Sequence, residues 1–216
     1  MTLEHGAVRE TLVKTVLKLM EKGGLEGVKA RKVAELAGVS VGTIYNLFGN
    51  FDGLILAANL KIYADLGAVG QARAAKIEAE IARRPASTAR ERVLARLSGL
   101  ADAYVDFVAA NSSRWSALLS FNRTRGLSGN EDNLQHLNAL IDIIGAMLDE
   151  VPRWKAPRER RVAARALWSA VHGIVTTNFF GGDEATARQR TSGLLNLLLT
   201  TLVDGMFAET VIEPVE

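Results

Sequence analysis

The segment AELAGVSVGTIYNLF, residues 34–48, leaves the chain few choices of local structure. Val33, Leu36 and Ala37 recur at spacings of three and four over about residues 31–37, which predicts a short helix with those side chains inward. Gly38 follows the last of them, where glycine accepts the left-handed backbone that closes a helix. Val39 is placed to plug the turn. Ser40 can accept hydrogen bonds from the free N–H groups of a second helix that starts at Val41. The expected product is two short helices on a glycine turn, the hairpin that lays its second helix in a DNA major groove.

The second helix has two unlike faces. With Ile44 as the inner direction and about 100° per residue, Val41, Ile44, Leu47 and Phe48 fall inward, while Gly42, Thr43, Tyr45 and Asn46 fall outward. The outer face is small and polar, as close approach to a duplex requires. Gly42 puts nothing between backbone and groove. Thr43 suits a thymine methyl or a phosphate, and Tyr45 and Asn46 suit a phosphate or a base edge. Just upstream, residues 29–32 hold three basic side chains in four, where a generic solvated face mixes signs. The plainer alternative is a helical hairpin with a wet face.

Residues 9–58, through LVKTVLKLMEKGGLEGVKARKVAELAGVSVGTIYNLF and FDGLILAA, resemble the DNA-binding domain of the TetR, or tetracycline-repressor-type, transcriptional regulators. The resemblance implies an all-α protein with a three-helix helix-turn-helix head at residues 1–51. A linking helix would join the head to a helical body at 52–216 that binds a small molecule and dimerises. The function it implies is a homodimeric repressor on a pseudo-palindromic double-stranded operator, released by a ligand. The expected DNA contacts are Lys29, Arg31, Ser40, Val41, Gly42, Thr43, Tyr45 and Asn46. Thr43 and Tyr45 match family positions that face DNA, and Arg31 sits where some members read a base. An arginine fork on guanine is the commonest specific major-groove contact. Three positions depart from the pattern. Lys29 replaces the usual threonine or serine that caps the first hairpin helix, Leu47 replaces a common histidine, and Phe51 replaces a lysine that touches the DNA backbone.

The rest of the chain reads as helices. A first is expected from residue 6 or 7 to 22, with Leu12, Val16, Leu19 and Met20 inward. A fourth begins near Asp52, whose charge suits a helix N-terminus. It continues through Leu54, Ile55, Ala58, Ile62 and Leu66, with Gly67 and Gly70 as weak points and residues 71–84 as an extension. Residues 85–88 break the chain, and a fifth helix follows to Ala110 with Val93, Leu97, Leu100, Tyr104, Phe107 and Val108 inward. Asn111, Ser112 and Ser113 punctuate it, and a short sixth helix carries Trp115, Leu118, Leu119 and Phe121. A polar loop spans residues 122–130, and further helices are expected near residues 131–150, 158–180 and 184–208, with Pro152 and Pro157 at a break. No strand pattern or internal repeat is visible.

Two features of the second half bear on function. Ala163, Ala166, Ala170 and Gly173 are small residues three or four apart, and residues 194–206 carry leucines on more than one face, so the last two helices are the expected dimer surface. The segment WSAVHGIVTTNF, residues 168–179, is similar to a tryptophan, histidine and glycine signature in one C-terminal branch of the family. It suggests a largely apolar ligand pocket of Tyr104, Phe107, Trp115, Leu119, Trp168, His172 and Phe179. The other reading of His172 is a core histidine bonded to a neighbour.

Composition removes several classes. The chain has no cysteine, hence neither disulfides nor thiol catalysis. The formal charge of +2 does not argue for nucleic acid by itself. Glu4, Arg9 and Glu10 interrupt any N-terminal apolar run, and the greasy stretch 193–207 is broken by polar residues and too short for a bilayer. A cytoplasmic protein without membrane contact, cofactor or metal is expected. No Glu-x-x-His pair, His-Glu-x-x-His, phosphate-cradling glycine loop or Gly-x-Ser-x-Gly is present, so an enzyme is not expected. Asp132 and His136, one helical turn apart, suit a surface ion pair. A helical dimeric adaptor that has lost DNA binding is the alternative that Phe51 keeps open.

Overall fold

A computed structural model describes residues 2–125, 131–178 and 183–208. Those residues form α1 (Thr2–Gly23), α2 (Ala30–Ala37), α3 (Val41–Phe48), α4 (Phe51–Ala82), α5 (Ala89–Ala110), α6 (Ser112–Arg125), α7 (Glu131–Ala146), α8 (Pro157–Asn178) and α9 (Glu184–Phe207). Among the described residues there is no strand. The chain divides into two compact units, one of residues 1–66 and 110–137, the other of 67–109 and 138–216.

The first unit is built on α1. Leu12, Val16 and Met20 are fully buried, and α1 packs against α2, α3 and α6. Leu17 takes the inward place expected of Leu19, which is half-buried. Val33, Ile44, Leu54, Trp115 and Leu118 complete the core, each completely enclosed. Burying one such side chain contributes about 1.5–3 kcal/mol, so this handful fixes the unit. Leu36 differs from expectation, being 55% exposed. Val33, Ala34 and Ala37 set the inward direction of α2, and advancing by the helical repeat leaves Leu36 roughly 110° away.

The elements end where their residue types require. Gly38, at φ 68°, closes α2 as its N–H reaches the Glu35 carbonyl and the Val39 N–H reaches that of Ala34, the double bond of a Schellman motif. Asn50 Oδ1 accepts from the Gly53 N–H at 2.7 Å and so caps α4, with Asp52 in its first turn as expected. Thr88 and Glu91 cap α5 reciprocally, with the Thr88 N–H and Oγ1 reaching Glu91 Oε2 and the Glu91 N–H reaching Thr88 Oγ1. Asp183 caps α9 by accepting from the Thr186 N–H at 2.9 Å, and those hydrogen bonds hold its carboxyl below the usual range.

The 32-residue α4 is unbroken at Gly67 and Gly70. By length and composition it could cross a bilayer. Its stripe of Leu54, Ile55, Ala58, Asn59, Ile62 and Leu66 is buried in protein instead. α7 is shorter than expected, ending at Ala146 with turns through Glu150.

The second unit is tied by arginines. Arg96, 8% exposed, donates to Glu78 at 2.7 and 3.0 Å, to Glu150 at 2.5 Å and to Asp149 at 3.4 Å. Arg92 shares Glu150, and the two arginines hold that carboxyl below the usual range. Pairs of Arg90 with Asp204, Arg188 with Asp106 and Arg161 with Asp142 join further helices.

Candidate nucleic-acid interface and helical body

The geometry of α3 is set from both ends. Ser40 Oγ accepts from the Thr43 N–H at 3.1 Å and lies 2.9 Å from Thr43 Oγ1. That contact turns the Thr43 hydroxyl toward the cap. At the other end, Arg9 of α1 donates to the Leu47 carbonyl and lies over the Phe48 ring, 4.3 Å from its centroid. A guanidinium there satisfies a terminal carbonyl, complements the helix dipole and gains a cation–π contact. No sequence spacing could have found Arg9, because its partner lies 38 residues away.

Between these anchors Ile44 is enclosed, while Gly42, Tyr45 and Asn46 are exposed and Thr43 is half-buried. Val41, Leu47 and Phe48 are only half-buried, so the inner face rests on Ile44. Tyr45 is 46% exposed, a large aromatic ring held toward solvent. A Cβ at Gly42 would meet Ser40 Oγ at 3.5 Å, an ordinary contact, so glycine is not demanded by the fold at this position. Ahead of α3, Lys29 has extended backbone and no side-chain capping bond. Lys29 and Arg31 are exposed, with no ion-pair partner among the described residues, whereas Lys32 meets Glu35 at 3.5 Å. The basic triplet therefore offers two unengaged cations.

The expected pocket residues divide between the units. In the second, Tyr104 OH and His172 Nδ1 are 2.8 Å apart, and the Trp168 ring stacks on His172 with centroids 5.3 Å apart at 18°. Trp168 also lies 5.2 Å from the Tyr104 ring, and Phe107 is buried on the same helix as Tyr104. Burial pushes the His172 imidazole below its ordinary pKa. In the first unit, Trp115 is enclosed and meets the Tyr63 ring edge-on at 6.2 Å, with Leu119 one turn along and half-buried. Phe179 lies outside the described residues, as do the side chains of Asp132 and His136. Two clefts of the second unit lie elsewhere. One, of about 390 Å³, is lined by residues including Glu78, Arg96 and Met147; the other, of about 360 Å³, by residues including Ile141, Pro157 and Arg161.

Residues 12–58 match the family described as "Bacterial regulatory proteins, tetR family", and residues 97–202 match "Tetracyclin repressor-like, C-terminal domain". The HTH-type transcriptional regulator BetI 1 of Chromohalobacter salexigens is 38% identical over 71 residues, which are 32% of this chain and 35% of that protein. This chain thus matches about a third of that relative's length. The fold is similar to that of a transcriptional regulator from Rhodococcus, at 19% identity and TM-score 0.63 over 94% of this chain and 99% of that one. It is also similar to FadR of Bacillus subtilis, solved in complex with stearoyl-CoA, at 20% identity and TM-score 0.54 over 91% and 98%. A helix-turn-helix with its outer face exposed, in an all-helical chain whose two parts match the two parts of one family, is sufficient for assignment: the chain belongs to the TetR family of bacterial regulatory proteins.

Proposed function

We propose that the chain is a cytoplasmic, homodimeric transcriptional repressor that holds a pseudo-palindromic operator and leaves it when a small, largely apolar molecule binds the helical body. It is a binding protein, not an enzyme. The observation that carries this reading is the outer face of α3: Gly42, Tyr45 and Asn46 exposed on a helix anchored at both ends, with Lys29 and Arg31 beside it. With its hydroxyl turned to Ser40, Thr43 offers its methyl group to a thymine. Tyr45 and Asn46 contact backbone or base edge, Arg31 reads a base, and Lys29 reaches a phosphate.

A dimer is supported by α8 and α9. Val162 and Leu197 are each 66% exposed, and Leu194 and Leu202 more than a third exposed. Apolar side chains at this density need a partner surface. Two recognition helices related by a two-fold axis reach successive major grooves, about 34–36 Å apart. Ligand acts by binding more tightly to the dimer whose head spacing misses the grooves, and it shifts the equilibrium by no more than that difference. The helix α4 runs through both units and is the continuous element through which the two equilibria are linked.

The test is titration of the purified protein against DNA flanking its own gene, at two salt concentrations and with non-specific duplex as competitor. A palindromic fragment retained under competitor supports the reading, and Tyr45→Ala should weaken it without loss of fold. Arg31→Ala should relax preference at one base-pair position by about 1–3 kcal/mol. A folded dimer that binds no duplex even at low salt overturns the reading in favour of an adaptor. Phe51, half-buried where the family has a lysine, is the observation behind that second outcome.

A further inference from the structure

Asn59 is fully enclosed, and neither its amide nitrogen nor its amide oxygen has a hydrogen-bond partner among the described residues. It sits on the inner stripe of α4 with Ile55, Ile62 and Leu66, at spacings of four, three and four. A side-chain amide has two donor hydrogens and an acceptor oxygen, and enclosing them unpaired is costly to the fold. A leucine would serve packing better. The amide is therefore kept for something other than the core, since enclosed polar groups are paired in the state in which they act.

The surroundings define what could pair with it. One turn along α4, Tyr63 accepts a hydrogen bond from Asn122 Nδ2 of α6 at 3.1 Å and presents its ring to Trp115. Burial raises the pKa of Tyr63 and keeps it a neutral phenol. Two amides, a phenol and an indole thus lie among the mostly aliphatic side chains of the first unit. Apolar and aromatic walls with a few fixed polar groups are the usual makeup of a small-molecule site. Among the described residues of this unit Asn59 is the one enclosed polar residue, and no charged residue is enclosed. A charged ligand would find no enclosed counter-charge among those residues, so desolvation disfavours it.

We infer that Asn59 is the specificity-determining group of an effector site inside the first unit, and that the site takes a neutral, flat molecule presenting a hydrogen-bond donor and acceptor side by side, of the carboxamide or cyclic-imide type. The inference rests on the effector-responsive reading proposed above and names the chemistry of its ligand. Asn59 donates to the ligand carbonyl and accepts from its N–H. The ligand's ring lies with Tyr63 and Trp115.

The experiment uses the full chain with Trp154→Phe and Trp168→Phe, so that Trp115 is the reporter, and titrates it with benzamide and with methyl benzoate. Benzamide should change the emission saturably. Methyl benzoate keeps the ring and the carbonyl but lacks the N–H, and should bind about tenfold more weakly, the cost of one unmade hydrogen bond. Asn59→Leu should abolish that preference, and Asn59→Ala, which cannot overfill the core, should do the same. No saturable response to benzamide, or an undiminished preference in both variants, overturns the inference. Operator release is read separately. Benzamide that binds through Asn59 without releasing a bound operator leaves the site standing and removes the effector-release reading.

Discussion

The helix-turn-helix and the arginine cluster of the second unit are held together in opposite ways. In the first, the bonds that close the turn and cap α3 span three to five residues: Gly38 to Glu35, Val39 to Ala34, and the Thr43 N–H to Ser40. In the second, Arg96 reaches partners 18, 53 and 54 residues away. Short-range bonds are dictated by residue type, because a glycine past a helix end or a serine before one has few other conformations to choose. Long-range ion pairs exist only once the helices that carry them have packed. The difference teaches where each region is vulnerable: the hairpin to a change of backbone geometry, the body to loss of a single shared cation.

The largest effect should come from Arg96→Ala. Removing one partner of an enclosed ion pair costs about 3–5 kcal/mol, and the lower end applies here because Glu78 and Asp149 are half exposed. Chemical denaturation should report a loss of about 3 kcal/mol, with operator affinity per folded molecule unchanged. A loss below about 1 kcal/mol would put the cluster among ordinary surface pairs and erase the contrast.

The hairpin's counterpart is Gly53→Ala. A Cβ at Gly53 would overlap the Phe48 carbonyl oxygen, a backbone atom that cannot rotate away, so the turn from α3 into α4 must open. Overpacking of this kind costs about 1–3 kcal/mol. Unlike Arg96→Ala, it should lower operator affinity of the folded protein, because it moves α3 itself. Equal affinity in the variant would mean that the turn absorbs the change without tilting the recognition helix. Smaller still is Ser40→Ala, which removes the cap of α3 at about 1 kcal/mol and frees the Thr43 hydroxyl. Ser40→Thr should restore both stability and operator affinity, whereas restoration of stability alone would separate capping from the Thr43 contact.

The same contrast explains what could be read in advance. The all-helical plan, the breaks at Gly38 and residues 85–88, the cap at Ser40 and the missing cap at Lys29 were legible, because each depends on a residue and its neighbours. The exposure of Leu36 was not, since two turns of helix carry too little periodicity to choose between Ala34 and Leu36 as the inward residue. Arg9 over Phe48 and the Arg96 cluster were illegible for a different reason: their partners are distant in sequence, and an arginine in a helix reads equally well as solvated. Asn59 lay hidden inside an apolar run. The aromatic set was legible in part, as Tyr104, Trp168 and His172 meet, while Trp115 belongs to the other compact unit.

The smallest expected effect concerns slope, and it tests whether the aromatic group of the second unit is dry. Burial lowers the pKa of His172 below the ordinary value of about 6.5. At a pH well above 6.5 the imidazole is neutral in both folded and unfolded chains and contributes no pH dependence. As pH falls through about 6.5, the unfolded chain takes up a proton that the folded chain refuses, so stability declines until the lowered folded pKa is reached. Urea midpoints measured between about pH 7.5 and 5.5 should therefore fall, and His172→Gln should fall less, because it has no proton to take up in either state. An unchanged slope in the variant would mean that His172 protonates as readily folded as unfolded, with water at the Trp168 stack. The second unit would then lack the desolvated interior that an apolar ligand needs, and ligand recognition would rest on the first unit, where Asn59 lies.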